Sequence, residues 1–153
     1  MKNVTFYLLE YLPEQHESTD PLAAAEVLAC ELAAMHWREG KRVLIFCENT
    51  QQAERLDEAL WQRPPFSFVP HNLAGEGPGQ GAPVELAWPA RRGNAPRDLL
   101  ISLLPECATF ASTFCEVIDF VPYETALKQQ ARERYTFYRR AGFHLKTATP
   151  PTN

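Results

Sequence analysis

Short apolar runs alternate along this chain with longer segments of helical period. The short runs are apolar at successive positions and rich in Val, Ile, Leu and Phe, which is typical of strands buried on both faces of a sheet. Five runs are predicted as strands, at residues 3–9, 42–47, 84–88, 98–104 and 116–121. None of them approaches the roughly 20 apolar residues that span a bilayer, so no contact with a membrane is expected.

The longer segments repeat their apolar residues every three or four positions, as one face of a helix does. They are predicted as helices at residues 20–39, 49–63 and 123–143, with a short helix at 109–113. Asp20 and Pro21 supply an N-cap and a first helical residue, and Gly40 closes that helix. Residues 71–83 hold four of the chain's seven glycines and are predicted as a turn-rich loop.

Strands that alternate with helices predict a parallel sheet with helices on both faces. The expected fold is a single three-layer, Rossmann-like α/β domain over residues 1–146. Residues 147–153 offer little to pack and are predicted to be a flexible C-terminal tail. The four cysteines form no Cys-x-x-Cys pair, and no signal peptide is recognised, which favours a reduced protein of the cytoplasm.

Charge is distributed unevenly between the last helix and the rest of the chain. Residues 121–146 hold six cations and two acids, a balance of +4, so the remainder carries −8 to reach the net charge of −4. A segregated field of this kind steers an anionic partner toward the cationic part. The negative net charge of the chain argues against general binding of duplex DNA, which needs a broad positive surface.

The period of the last helix separates two groups of side chains. The group predicted to face the sheet comprises Leu127, Ala131, the stem of Arg134, and Tyr138. The group about a quarter-turn away comprises Lys128, Arg132, Tyr135 and Arg139. Arginine grips a carboxylate with two parallel hydrogen bonds, so this second group is a candidate site for a carboxylate, although a solvated helix face carries similar charges.

Glycines and cysteines offer only weak candidates for an enzyme site. Gly77, Gly79 and Ala82 fit the dinucleotide pattern G-x-G-x-x-A, but no helix follows them as that pattern requires. Cys47 ends a predicted strand and is a candidate nucleophile with His71 as base, although a buried core cysteine is the commoner case. The histidines lack metal-ligand spacing. The sequence therefore predicts no catalytic site, metal or cofactor.

A second candidate surface lies at residues 61–68, where Trp61 ends a helix, two prolines follow, and Phe66 and Phe68 come next. Large aromatic residues are mostly buried, which favours a place in the core. Exposed aromatic residues, in contrast, dominate the binding energy of many protein interfaces. The residues alone leave both interpretations open.

Several stretches of the chain together resemble one known family, in matching order and spacing. They are KRVLIFCE at 41–48, RLDEALW at 55–61, SFVPHNLAGEGP at 67–78, GAPVELAWP at 81–89, VIDFVPYE at 117–124 and LKQQARERY at 127–135. These stretches closely resemble the chi subunit of bacterial DNA polymerase III. The resemblance covers residues 1 to about 149 and implies a non-catalytic accessory subunit of the clamp-loader assembly, with a Rossmann-like fold, in the bacterial replisome.

In that family, chi pairs with the psi subunit on one surface and binds the acidic, hydrophobic C-terminal tail of single-stranded DNA-binding protein on another. Carried over by position, the resemblance implies a tail site that comprises Val121, Lys128, Arg132, Tyr135 and Thr147, beside Arg139. Arg132 would pair with the terminal carboxylate, and Val121 and Tyr135 would contact an apolar residue of the tail. The psi surface would use Trp61 and Phe68, a surface at which a helicase is a further possible partner. Thr136 stands where the family can carry another lysine.

Two alternatives from other classes stay open. The first is a module that binds single-stranded nucleic acid directly, with Tyr135, Phe137 and Tyr138 as stacking platforms beside the arginines. The second is a vestigial nucleotide-binding enzyme built on the same α/β scaffold. The leading interpretation contacts DNA only indirectly, through the protein that coats it.

Overall fold

The computed structural model describes residues 2–9, 24–62, 69–76, 82–91 and 97–149 of the 153-residue chain. The strands are β1 Asn3–Leu8, β2 Val43–Phe46, β3 His71–Leu73, β4 Val84–Ala87, β5 Leu99–Ser102, β6 Glu116–Val121 and β7 His144–Ala148. The helices are α1 Ala24–Arg38, α2 Thr50–Gln62 and α3 Thr125–Arg140, with a 3-10 turn at Ala111–Thr113. All five predicted strands, the three predicted helices and the short predicted helix correspond to described elements. Asp20 and Pro21, the predicted start of the first helix, lie outside the described residues.

The strands form one sheet of seven in the order β3-β4-β2-β5-β6-β1-β7. Every neighbouring pair is parallel. Parallel strands need crossover connections, and the helices that make these crossovers cover the faces of the sheet. The predicted Rossmann-like α/β fold is therefore confirmed.

Each face of the sheet packs a separate apolar cluster. One cluster joins α1 and α2 to one face, and includes Leu32, Ile45, Leu56 and Leu86, all fully buried. The cluster on the opposite face includes Phe6, Phe46 and Leu100 of the strands together with Tyr138 of α3. These two clusters account for the three predicted layers. No helix within the described ranges is long and apolar enough to cross a membrane.

Two strands were not predicted from the sequence. β3 has only three residues, all of them half-buried, inside the stretch predicted as a loop. β7 begins at His144 and pairs in parallel with β1, with Thr147 opposite Phe6. The prediction of a tail that begins at residue 147 is therefore wrong for 147 and 148, which lie in the strand, and residues 150–153 lie outside the described residues. β7 was missed because an edge strand is largely exposed and lacks a continuous apolar run.

Gly142 makes the turn from α3 into β7. Its φ of 93° lies in the left-handed region, which glycine adopts without the steric cost of a side chain. The Gly142 amide donates to the Arg139 carbonyl, and the Phe143 amide donates to the Tyr138 carbonyl. This pair of bonds is the Schellman arrangement that satisfies the last carbonyls of a helix. It reverses the chain so that β7 can start two residues later.

Candidate functional site

The inward face of α3 is set by three buried residues. Ala131 and Tyr138 pack as the helical period predicts, at 2% and 0% exposure. Arg134 is also buried, and its guanidinium group is buried together with its aliphatic stem. Leu127, predicted to face the sheet, is 42% exposed, because it lies in the first turn of α3, where it lines an open cleft with Pro122.

The guanidinium of Arg134 holds α3 against the sheet. Its Nε donates to both carboxylate oxygens of Asp119, at 3.2 and 3.0 Å. Its Nη1 and Nη2 donate to the carbonyls of Pro105 and Phe120, at 2.8 and 2.9 Å. A buried charge is tolerated when it is paired and hydrogen-bonded in this way. Arg134 is therefore structural, and the cations that remain for binding lie elsewhere on the helix.

Those cations form the surface that we call the α3 basic edge, defined by Lys128, Arg132, Tyr135 and Arg139. All four residues are exposed. Among the residues that the structure describes, no acid forms a salt bridge with the three cations of the basic edge. In contrast, Arg134 is paired with Asp119, and Arg55 with Glu26. The side chains therefore remain open to an external anion.

Tyr135 joins the basic edge to the sheet. Its ring lies 5.5 Å from the ring of Phe6, centroid to centroid, and the residue is 38% exposed. Because paired residues on neighbouring strands point to the same face, Thr147 lies beside Phe6 and Val121 beside Leu8 on the face that α3 covers. The structure thus brings the predicted residues Val121, Tyr135 and Thr147 around the carboxyl ends of β6, β1 and β7.

Leu8 is a candidate site residue that the sequence analysis missed. It is 39% exposed and stands two positions after Phe6, on the same face of β1. Leu8 is paired with Val121 of β6 and adds exposed apolar surface at the carboxyl end of β1. The alternation of Val4, Phe6 and Leu8 in the sequence was the available signal, but the prediction treated this strand as buried on both faces.

Trp61 lies on α2, and the core position considered for it is wrong. The side chain is 63% exposed, and its ring meets the ring of His71 edge-on with centroids 5.0 Å apart. His71 is itself fixed by the carbonyls of Val69 and Asp57. Phe68, predicted to share this surface, lies outside the described residues. Trp61 is thus a large exposed aromatic residue that packs on a histidine held in place by two backbone carbonyls.

The proposed pairing of Cys47 with His71 is not formed. Cys47 is fully buried, and burial raises the pKa of its thiol, which opposes formation of a thiolate. In the register of the sheet, His71 stands at the level of Val43, four residues before Cys47, or about 13 Å along the strands. Cys47 is a core cysteine.

A cleft of about 420 Å³ opens at the carboxyl ends of β2, β5 and β6, the position where α/β sheets often bind nucleotides. The Glu26 carboxylate, in the first turn of α1, accepts hydrogen bonds from Gln52 and Arg55 there. Glu48 also lines the cleft. An acid at a helix N-terminus occupies the place that would favour a phosphate. Gly77 and Gly79 lie outside the described residues, and within the described part no three potential ligands cluster as a metal site.

The sheet, its two covered faces and the exposed basic edge define a Rossmann-like α/β domain with an exposed cationic surface. The family model for the DNA polymerase III chi subunit, HolC, matches residues 1–146. The chain belongs to this family.

Curated relatives agree with this assignment. The chain is 63% identical over 149 residues to the DNA polymerase III subunit chi of Escherichia coli, covering 97% of this chain and 99% of that one. It is 52% identical over 122 residues to the chi subunit of Haemophilus influenzae, covering 80% and 85%. It is 38% identical over 146 residues to the chi subunit of Pseudomonas aeruginosa, covering 95% of each chain. The family that the sequence resembles is confirmed.

Solved structures of other proteins share only the fold. T4 UvsW matches with a TM-score of 0.62 at 9% identity, covering 97% of this chain. Saccharomyces cerevisiae Dbp5 bound to RNA and ADP BeF3 matches with a TM-score of 0.60 at 10% identity, covering 98% of this chain. This chain spans 42% of each of those structures.

Proposed function

We propose that this chain is a non-catalytic subunit of DNA polymerase III that binds the acidic C-terminal tail of single-stranded DNA-binding protein and pairs with the psi subunit. It thereby links the replicase to coated single-stranded DNA. The observation that carries the tail-binding part is the α3 basic edge, where three exposed cations without a described acidic partner flank a tyrosine packed on Phe6.

The basic edge matches a peptide that ends in an apolar residue and a carboxylate. Arg132 is suited to the carboxylate because its planar fork forms two parallel hydrogen bonds. Tyr135 and Leu8 offer apolar surface on the same side of the sheet, and Val121 of β6 continues this surface beyond β1. Lys128 and Arg139 extend positive charge to either side of Arg132 along the helix, which favours further acids in the peptide.

Trp61 supports a second, separate protein surface. At 63% exposure it presents a large ring to solvent, and exposed Trp residues are frequent anchors of protein interfaces. Trp61 lies on α2, which packs on the sheet face opposite to α3. The two surfaces are therefore on opposite sides of the domain, and psi and the tail can be bound together. The same separation allows a helicase to use the Trp61 surface in place of psi.

Direct binding of single-stranded nucleic acid has less support. Of the three candidate stacking residues, Tyr138 is fully buried and packs edge-on against Phe6 at 5.9 Å. Phe137 is 44% exposed, but at 100° per residue it points away from the cations. Only Tyr135 is exposed beside the arginines, and stacking along a strand needs successive platforms.

The deciding experiment compares Arg132→Ala with Arg140→Ala. Both arginines are exposed on α3, but Arg140 lies outside the basic edge. Binding of a synthetic ten-residue peptide that copies the tail of a bacterial single-stranded DNA-binding protein is measured by calorimetry. We expect Arg132→Ala to abolish binding, Arg140→Ala to retain it, and both to bind psi normally. Unchanged peptide affinity in Arg132→Ala contradicts the proposed tail site.

A further inference from the structure

β7 leaves one edge of the sheet open within the described residues. The His144 amide donates to the Lys2 carbonyl, so the backbone groups of His144, Lys146 and Ala148 point toward β1. Successive residues of a strand point their amide and carbonyl groups to opposite sides. The amides and carbonyls of Leu145 and Thr147 therefore point outward, and no described residue pairs with them. A strand edge of this kind is a template for another extended chain.

The open edge is continuous with the α3 basic edge. Arg134 and Gln130 line the cleft toward β5 and β6, so the opposite flank of the helix, which carries the basic edge, lies on the side of β1 and β7. Tyr135 contacts Phe6 of β1, and Thr147 lies beside Phe6 on β7. A strand added next to Thr147 would thus have every second side chain under the basic edge.

The charge of this region favours an acidic occupant. Arg132 and Arg139 lie on the α3 side of the added strand, while Lys146 lies one position from Thr147 and therefore on the other face of the sheet. Lys146 is exposed. An added strand would meet cations through both of its faces. A second copy of β7 would bring its own Lys146 and arginines against these cations, which is unfavourable.

The direction of the added strand follows from the position of Arg132. α3 connects the parallel strands β6 and β7, so it runs opposite to them. Arg132 precedes Tyr135 by three residues, or about 4.5 Å, and so lies nearer the carboxyl ends of the strands. A peptide parallel to β7 ends at Arg132 and Lys128, whereas an antiparallel one ends at Arg139.

We infer that the acidic tail binds as an eighth, parallel strand along β7, with main-chain hydrogen bonds to Leu145 and Thr147 and its terminal carboxylate at Arg132. Strand addition of this kind gives affinity through the main chain and specificity through alternate side chains. The inference rests on the proposed function, because it specifies how the same tail is held.

Amide hydrogen exchange of the ¹⁵N-labelled full chain tests this inference with the same synthetic tail peptide. We expect saturating peptide to slow exchange at Leu145 and Thr147 at least tenfold and to leave His144 and Lys146 unchanged, because those amides already face β1. Saturable binding without protection at Leu145 and Thr147 overturns strand addition but not tail binding. Failure to bind overturns both. Protection of these amides in peptide-free protein, together with a dimer in sedimentation, assigns the edge to a second copy.

A matched pair of variants gives a second readout. Thr147→Pro removes an outward amide but no bond to β1, and proline is tolerated at such positions of edge strands. Thr147→Val keeps the amide and a similar shape. We expect the proline variant to bind the peptide about tenfold more weakly than the valine variant, since one main-chain bond is lost and the partner strand is displaced. Equal affinities contradict the inference.

Methylation of the peptide backbone avoids any question of protein folding. In a peptide strand, the amides of alternate residues face β7 and the others face away from it. N-methyl groups therefore block pairing with β7 only when they are placed on the residues whose amides face β7. One of two peptides methylated in alternate sets should therefore lose at least tenfold in affinity while the other binds nearly as before. Equal losses in the two peptides exclude a strand held along β7.

Discussion

The Nε atom of Arg134 donates to both oxygens of the Asp119 carboxylate, at 3.2 and 3.0 Å. The pair is buried on both sides, with Arg134 at 6% and Asp119 at 1% exposure. Because Arg134 also binds the Pro105 carbonyl, it joins α3 to β6 and to the segment after β5. The orientation of the basic edge depends on this connection.

Arg134→Met is expected to destabilise the fold by about 3 to 5 kcal/mol, because it leaves Asp119 buried without its counter-ion. Denaturant unfolding measures the change in free energy. Arg140→Met, at an exposed position of the same helix, is the matched control and should change stability by less than about 0.5 kcal/mol. Equal effects of the two substitutions would contradict a structural role for Arg134.

The loss in Arg134→Met should grow with pH. Burial raises the pKa of Asp119, and Arg134 opposes this rise. A raised carboxyl pKa means that the folded state holds a proton which the unfolded state releases at about pH 4, so stability falls as pH increases through the folded pKa. Without Arg134 the pKa rises further and the fall extends to higher pH. The free energy of unfolding of Arg134→Met, and of the double variant that also carries Asp119→Asn, is measured between pH 4 and 8. The additional decrease of this free energy with pH should be absent in the double variant.

Thr136→Lys is expected to strengthen binding of the tail peptide. Thr136 is exposed one turn after Arg132, and its hydroxyl donates to the Arg132 carbonyl at 3.1 Å. A surface charge pair contributes up to about 1 kcal/mol, or about fivefold in affinity. The gain should shrink at high salt, because screening weakens exposed pairs. Calorimetry at two salt concentrations, with Thr136→Gln as a neutral control, measures it, and a salt-independent gain would contradict the electrostatic explanation.

Trp61→Ala is expected to weaken psi binding by at least tenfold, since a central aromatic residue commonly contributes 2 kcal/mol or more to an interface. Glu58→Ala, another exposed position of α2, is the control. Affinity for the tail peptide should stay unchanged in both variants, because the proposed tail site lies on the opposite face of the sheet. Pull-down and calorimetry distinguish these outcomes. Loss of tail binding in Trp61→Ala would show that the two surfaces are not independent.

The helical period correctly predicted that the side chains of the basic edge share one exposed side of α3, since neighbours three and four residues apart on one helix are fixed by local geometry. The residues of the sheet that lie next to that edge could not be predicted in the same way. Leu8 meets Val121, and Thr147 meets Phe6, only through the register of strands distant in sequence. The buried guanidinium of Arg134 was also missed, because its partner Asp119 lies inside an apolar run and gives no local signal. Family resemblance supplied Val121 and Thr147, but not Leu8.

The four cysteines should differ in their reaction with a thiol reagent. Cys115 is exposed, whereas Cys30 and Cys47 are buried. Burial raises the pKa of Cys107 to about 12, which leaves almost no thiolate at pH 8. Labelling of native protein with iodoacetamide at pH 8, followed by mass spectrometry, should modify Cys115 first, and Cys115→Ser should remove the fast phase. Rapid labelling of Cys47 would contradict its place in the core.

Gly142→Ala is expected to destabilise the fold by about 1 to 2 kcal/mol through the backbone alone. The φ of Gly142 is 93°, but a Cβ placed there meets no atom within 4 Å, so the cost arises from the left-handed conformation and not from a clash. Asparagine tolerates this region better than alanine, and Gly142→Asn should therefore lose less stability in thermal or denaturant unfolding. Because Gly142 sets the start of β7, the alanine variant should also show faster amide exchange in residues 144–148 than the asparagine variant. Equal losses for the two variants would mean that the space around the turn, rather than its backbone angle, limits this position.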